Sequence, residues 1–146
     1  MHVRFVAAGR IREGDLRAAL DDYYARIGRY ARFEELELKD APAKDAEALF
    51  ARAIPNRARV IALEVDGEAP SSEGLARLIG RAENDAVQTL VFLIGGAYGL
   101  PPATSKAADL RLSLSNLTLP HRLARLLLAE QVYRGFTILR GEPYSH

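Results

Sequence analysis

Gly95-Gly96-Ala97-Tyr98-Gly99 and Ser115-Asn116-Leu117-Thr118-Leu119-Pro120-His121 are the segments best suited to chemistry. Each follows an apolar run that reads as a strand, so each leaves free backbone N–H and C=O groups at a strand end. Glycine lets a ligand approach the main chain, and such groups can bind an adenine or a carboxylate. The glycine segment lacks the G-x-G-x-x-G spacing of a dinucleotide fingerprint and the Gly-Lys-Ser/Thr of a phosphate loop. A tight turn with no ligand contact would account for it nearly as well. In the second segment Pro120 keeps Leu117 and Leu119 out of a helix. An apolar loop at a strand end is either a buried crossover or the lining of an apolar slot. His121 then opens a helix beside the positive end of its dipole. Tyr144 and His146 lie in a polar tail beyond Gly141.

Other chemistries find little support. There is no cysteine, hence no disulfide framework and no thiolate metal site. His2, His121 and His146 are too scattered for a zinc motif, so no metal is expected. The opening residues, Met1 to Val6, are charged and break early, unlike a signal peptide. No apolar run approaches the ~18 residues of a membrane span. These features predict a cytoplasmic protein without a membrane partner. Net charge is +1, but residues 97–146 hold six Lys/Arg against three Asp/Glu, while residues 1–96 hold fourteen against sixteen. A polyanion could dock on the C-terminal third, although a solvated surface explains the excess as readily.

The elements that must position these loops alternate. Val3 to Ala8 reads as a buried strand. Leu16, Leu20, Tyr23, Ile27 and Tyr30 mark one face of a helix, with Asp15 as a plausible cap. Phe33 to Leu38 alternates as a strand, and Lys44 to Ala53 suits a helix closed by Pro55. Val60 to Val65 is a buried strand ending in an Asp66-Gly67 turn. Ser71 or Ser72 caps the next helix, whose core side is Leu75, Leu78 and Ile79. Thr89 to Ile94 is the most apolar strand and therefore central. Pro101-Pro102 starts a helix near Ala103, and Leu110 to Leu114 alternates as a half-buried strand. His121 to Gly135 forms a helix apolar on most sides. One of its flanks is expected to pack on a second subunit. With 146 residues the chain predicts one domain, residues 1–146. Its class is α/β, a mostly parallel sheet flanked by helices on both faces.

Taken together, several blocks resemble a known family. These are Leu63 to Gly67, Leu93 to Leu100, Ser113 to His121, Ala129 to Arg134 and Gly141 to Tyr144. In this order and spacing the chain resembles, end to end, the small bacterial ribosomal RNA large-subunit methyltransferases of the SPOUT class. These enzymes methylate N3 of a pseudouridine in 23S rRNA. The resemblance implies an α/β-knot fold with a C-terminal trefoil knot, which is rare among folds. It also implies a homodimer and an active site shared between subunits. By position, S-adenosylmethionine would be held by Leu63, Gly96, Ser115, Asn116, Leu117, Thr118, Leu119 and Pro120. The tail departs from the family: Ser145 stands where a histidine is usual, and His146 takes the place of a basic residue.

The chemistry then follows. Methyl transfer from a sulfonium needs no metal but requires in-line positioning. The imide N3 is a weak nucleophile while protonated, so a base or acceptor must favour its anion. His121 is the first candidate for substrate or proton handling. Tyr144 from the partner's tail is a hydrogen-bonding or stacking group, and His146 would meet phosphate or base. Arg122, Arg125, Arg134 and Arg140 are candidate phosphate contacts, on charge alone. A chain this small, with a modest basic patch, is expected to act on the assembled ribosome rather than on naked RNA. Two other readings are a non-catalytic RNA-binding dimer, which would not bind S-adenosylmethionine, and a flavodoxin-like module, which needs an early phosphate loop that Ala7-Ala8-Gly9-Arg10 does not provide.

Overall fold

The computed structural model describes residues 1–144. Five strands form one sheet in which every pairing is parallel. They are β1 (His2–Ala8), β2 (Arg32–Leu38), β3 (Arg59–Glu68), β4 (Thr89–Ile94) and β5 (Leu110–Leu112), in spatial order β2-β1-β4-β3-β5. The intervening helices are α1 (Gly14–Ile27), α2 (Ala43–Ala53), α3 (Ser72–Asn84), α4 (Pro102–Ala107) and α5 (His121–Arg140). The apolar run at Leu90 to Ile94 does occupy the centre of the sheet, as its composition predicts.

Strand parity divides the core into two layers. Val3, Phe5 and Ala7 of β1, with Leu90, Phe92 and Ile94 of β4, face α1, α3 and α5. Val6 and Ala8, with Val91 and Leu93, face the side where Ala46 and Phe50 of α2 pack. Successive side chains on a strand point to opposite faces, so a strand buried on both sides reads as a continuous apolar run. That is why β4 lacks a polar alternation.

Local signals are mostly honoured. Ser71 caps α3, its hydroxyl accepting the Gly74 N–H at 3.0 Å. Pro101 and Pro102 open α4. Asp15, expected as a cap, instead sits in the first turn of α1, and the N-cap position is Glu13 with no side-chain bond. The dipole still favours a carboxylate there.

Two expectations need correction. The final helix does not stop at Gly135. It runs to Arg140, and Gly141, at φ 65°, closes it in the left-handed conformation. Gly135 answers a packing demand instead: a Cβ there would lie 3.0 Å from Ile79 Cδ1 and 3.5 Å from Ala76 Cα. The glycine lets α5 approach α3 closely. Likewise, β3 does not end at Asp66-Gly67. It pairs with β5 up to Leu63, bulges, and pairs again through Glu68 opposite Leu112. Gly67 lies so close to β5 that a Cβ would come 2.7 Å from the Arg111 carbonyl.

The apolar character of α5 is largely consumed within the monomer. It packs between α1 and α3, burying Leu128, Ala129, Val132, Tyr133 and Phe136. Leu123, Leu127 and Ile138 remain exposed. Among the described residues no helix is long and apolar enough to cross a membrane.

Candidate active site

Parallel strands all deliver their C-terminal ends to one edge of the sheet, where ligands of open α/β folds bind. Here the bulge of β3 and the ends of β4 and β5 surround a cleft of about 240 Å³. Leu63, Glu64 and Val65 form one wall; Ile94, Gly95, Gly96, Gly99 and Leu100 form another; Leu112 to Ser115, Leu117 and Leu119 close the third. His121 and Ala124, from the first turn of α5, complete it.

The loop after β4 is a tight turn. The Gly99 N–H donates to the Gly96 carbonyl at 3.0 Å, and Gly99 has φ 71°. The glycines answer the protein's own packing first. A Cβ on Gly95 would lie 2.6 Å from the Gly99 carbonyl carbon. On Gly96 it would lie 2.9 Å from the Ala8 carbonyl oxygen and from the Asp40 carboxylate. Asp40 also accepts the Ala97 N–H at 3.2 Å and so pins the turn. Gly95→Ala should therefore displace the cleft wall and not merely line it. A loss of about 1–3 kcal/mol, the range for overpacking, is expected in a thermal melt together with weakened ligand binding. A variant as stable as the parent would show that the turn has room to spare.

The loop after β5 is organised by serines. The Ser113 N–H donates to the Glu68 carbonyl at 2.7 Å, which ties this loop to the bulge of β3. The Ser113 hydroxyl donates to the Ser115 carbonyl at 2.8 Å, and the Leu117 N–H donates to the Ser115 hydroxyl at 2.9 Å. Such local bonds hold the backbone in turns and out of helix or strand. Leu117 is left 74% exposed, an apolar side chain at the mouth of an apolar slot. Pro120 then stands at the N-cap position of α5.

Of the residues expected to hold a cofactor, Leu63, Gly96, Ser115, Leu117 and Leu119 line the cleft; Asn116, Thr118 and Pro120 belong to the same loop without lining it. His121 lines it too. Tyr144 does not. It packs back on α5, its ring against Tyr133 and its hydroxyl donating to Glu130 at 2.8 Å. Burial and hydrogen bonds to Tyr23 and Glu130 push its pKa well above the ordinary phenol value. It is thus a hydrogen-bond donor near neutral pH, not a base. His146 lies outside the described residues.

The four arginines differ in kind. Arg122 is exposed and pairs with Glu13. Arg134 pairs with Glu130 at 3.0 Å and lies 4.5 Å over the Tyr144 ring. Arg140 grips Glu83 with two bonds at 2.7 and 3.1 Å. It lies near the opposite end of α5 from His121, about 28 Å along the axis at 1.5 Å per residue. Arg125 must be removed from the phosphate contacts. It is 1% exposed and bonds Glu37 at 2.5 Å, Glu35 at 3.2 Å and the Gly9 carbonyl at 3.0 Å.

One wall residue and two that support the walls escaped sequence reasoning. Glu64, directly after Leu63, lines the cleft, and its carboxylate accepts the buried Ser105 hydroxyl at 2.9 Å. Its place at a strand end was the available signal. Asp40 could have been noticed as an acid just beyond β2. Ser105 carries no sequence signal at all. Among the described residues, no three His, Cys, Asp or Glu side chains are grouped to hold a metal ion.

Comparison with known proteins decides the assignment. A family model described as "Predicted SPOUT methyltransferase" matches residues 1–146. A ribosomal RNA large subunit methyltransferase H of Sorangium cellulosum is 51% identical over 146 residues, covering 100% of both chains. This chain belongs to the SPOUT methyltransferase family. A second methyltransferase H, from Geobacter, is 39% identical and covers 100% of this chain and 99% of its own. Solved structures agree on the fold. A probable methyltransferase from Bordetella pertussis superposes with a TM-score of 0.57 at 14% identity, covering 91% of this chain and 95% of that one. A probable methylase family protein from Haemophilus influenzae gives 0.60 at 13% identity, covering 95% and 66%. SPOUT methyltransferases draw their methyl group from S-adenosylmethionine, and the glycine turn and serine loop described above are the parts of this member that build its cleft.

Proposed function

We propose that this SPOUT methyltransferase transfers a methyl group from S-adenosylmethionine to N3 of a pseudouridine in 23S rRNA, acting as a homodimer on the assembled ribosome. The observation that carries the reading is the junction of the cleft with His121. The loop that forms one wall runs without a break into the helix whose first side chain faces the same space. The names of the relatives point to large-subunit ribosomal RNA as the substrate class.

The cleft suits the donor. Leu63, Ile94, Leu112, Leu114 and Leu119 offer apolar surface for an adenine, and the glycine turn and Ser115 offer main-chain and hydroxyl partners. Asn116, Thr118 and Pro120, exposed members of the same loop, would complete its contacts with the donor. The bound donor supplies a methyl group already activated by its sulfonium charge. What remains for the protein is alignment and proton handling. The N3–H bond of the imide must break as the N–CH3 bond forms, and its proton must go to an acceptor. His121 is placed to take it, or to hold the base so that it leaves through water.

The partner's Tyr144, a donor at neutral pH, would hydrogen-bond or stack on the target base, with His146 beside it. Arg122 and Arg134 would meet phosphate, each by leaving its present carboxylate, and Arg140 would do so farther out along the RNA. Leu117, Leu123 and Leu127 are exposed and would be covered by the second copy, and the C-terminal knot implied by the family would hold the cleft loops in place. The test is mass spectrometry of 23S rRNA from cells lacking the protein. The methylated pseudouridine should vanish, return with the wild-type gene, and stay absent with His121→Ala. Its persistence in the null strain would refute the assignment.

A further expectation concerns the form of the substrate. Sequence-independent phosphate contacts carry much of the affinity for nucleic acid, and this chain's net charge is only +1. Methylation of assembled ribosomes should exceed that of deproteinised rRNA by about tenfold or more, as judged by radiolabel incorporation at equal RNA concentration. Equal incorporation would show that the chain reads the RNA alone.

A further inference from the structure

Among the residues that line the cleft, Glu64 is the one formally charged side chain; the rest are apolar or small, apart from His121 and the serines. A carboxylate in such a place either has its charge answered by the protein or is there for a ligand. No salt bridge to Glu64 is found among the described residues. Its identified partner is the Ser105 hydroxyl, a neutral donor that occupies Oε2. Ser105 is 4% exposed and sits on α4 behind the wall. It therefore fixes the carboxylate without neutralising it, and leaves Oε1 for another donor. Glu64 stands between half-buried Leu63 and Val65, which is 63% exposed. Glu64 is itself half-buried, so its carboxylate stands at the border between the cleft wall and solvent.

We propose that Glu64, held by Ser105, is the counter-charge for the α-ammonium group of the methyl donor's amino-acid tail. This rests on the reading of the cleft as the S-adenosylmethionine site. The tail carries the ammonium and carboxylate of a ligand whose other charge is the sulfonium at the reacting centre, and it belongs at the wet rim, where Glu64 stands; S-adenosylhomocysteine, which keeps the ammonium but lacks the sulfonium, separates the two cations. A cation brought into a cleft of low polarity binds best where a fixed negative group already waits, because a charge-assisted hydrogen bond there is stronger than a neutral one.

The experiment is calorimetric titration of the full chain with three probes: S-adenosylmethionine, S-adenosylhomocysteine and 5′-methylthioadenosine. The first two carry the ammonium; the third keeps adenine and ribose but has no amino-acid tail. Glu64→Gln preserves an acceptor for Ser105 and should leave the thermal melt near that of the parent. It is expected to weaken S-adenosylmethionine and S-adenosylhomocysteine by about tenfold or more, the scale of a hydrogen bond to a charged group. Binding of 5′-methylthioadenosine should change by less than about twofold. Ser105→Ala, which frees the carboxylate to wander, should give a smaller loss of the same pattern. An equal loss for all three probes would mean that Glu64 serves the ribose or the wall itself, and would overturn the proposal. Unchanged affinities would overturn it too. If the parent chain bound none of the probes, the reading of the cleft would fail first, before Glu64 came into question.

Discussion

Replacing Arg125 with alanine is expected to destabilise the fold by about 3–5 kcal/mol, the cost of removing one partner from a buried ion pair. The guanidinium sits at the meeting point of three elements. It bonds two carboxylates of β2, Glu35 and Glu37, and the Gly9 carbonyl just after β1. Arg17 of α1 shares both carboxylates at 2.9 and 3.4 Å, and the Tyr24 hydroxyl donates to Glu35 at 2.5 Å. Removing Arg125 still leaves Glu35 and Glu37 the Arg17 cation, the Tyr24 hydroxyl and the Ile11 N–H, so the loss should lie toward the lower end of that range. A fall in Tm on the order of 10 °C would follow for a domain of this size. Arg125 is also one turn beyond His121, so the variant should loosen the start of α5 against the cleft. A change in Tm of less than about 2 °C would show that Arg17 suffices.

The same cluster gives the fold an acid limit. Burial raises the Glu37 pKa, but the Ile11 N–H and the Arg125 guanidinium outweigh it, and the net shift is downward. A carboxylate whose pKa is lower folded than unfolded stabilises the fold above its unfolded pKa. That contribution is lost as pH falls through the folded value. Stability of the parent should therefore drop below about pH 4, near the ordinary carboxylate value. The Arg125 variant, already lacking one of the favourable partners, should show a shallower acid dependence.

His121→Ala is the second large effect. A positioned acid–base group contributes about 10²–10⁴-fold to rate, and the loss is expected mainly in kcat. His121 also lines the cleft, so donor affinity should fall by a smaller factor. Measured on ribosomes from the null strain, a variant within about threefold of the parent in kcat/KM would remove His121 from proton handling. Tyr144 itself is poorly suited to act as the base, because its hydroxyl is held protonated by burial and by Tyr23 and Glu130.

The sequence disclosed the frame through local signals. The unbroken apolar run of β4 announced a strand buried on both faces. Ser71 and Pro102 marked helix starts, and the two strand-end loops did converge on one cleft. What stayed hidden depends on partners distant in the chain. Gly135 reads locally as a helix stop, yet the residues that require it are Ala76 and Ile79 on α3. Arg125 reads as one more cation on an amphipathic helix, until Glu35 and Glu37, some ninety residues away, fold up against it. Gly67 looks like half of a turn, but it is the Arg111 main chain on β5 that leaves no room for a side chain. Glu64 was passed over because it follows a conspicuous apolar run, and its role depends on Ser105 from a helix that the sequence only hints at. Resemblance to the family supplied what spacing could not: the cofactor, and the expectation of an RNA substrate and a twin subunit.

The central claim is that the bulge of β3 and the ends of β4 and β5 form the methyl-donor site. A crystal structure of the full chain grown with S-adenosylmethionine tests it most directly. The account predicts the donor in the cleft, with adenine against the leucines of the β3 and β5 ends, main-chain contacts from the Gly95–Gly99 turn and the Ser115–Pro120 loop, and the methyl group open toward His121. Donor density elsewhere, for instance in the groove between Arg59, Arg77 and Arg81 along β5, with the cleft left empty, would contradict it.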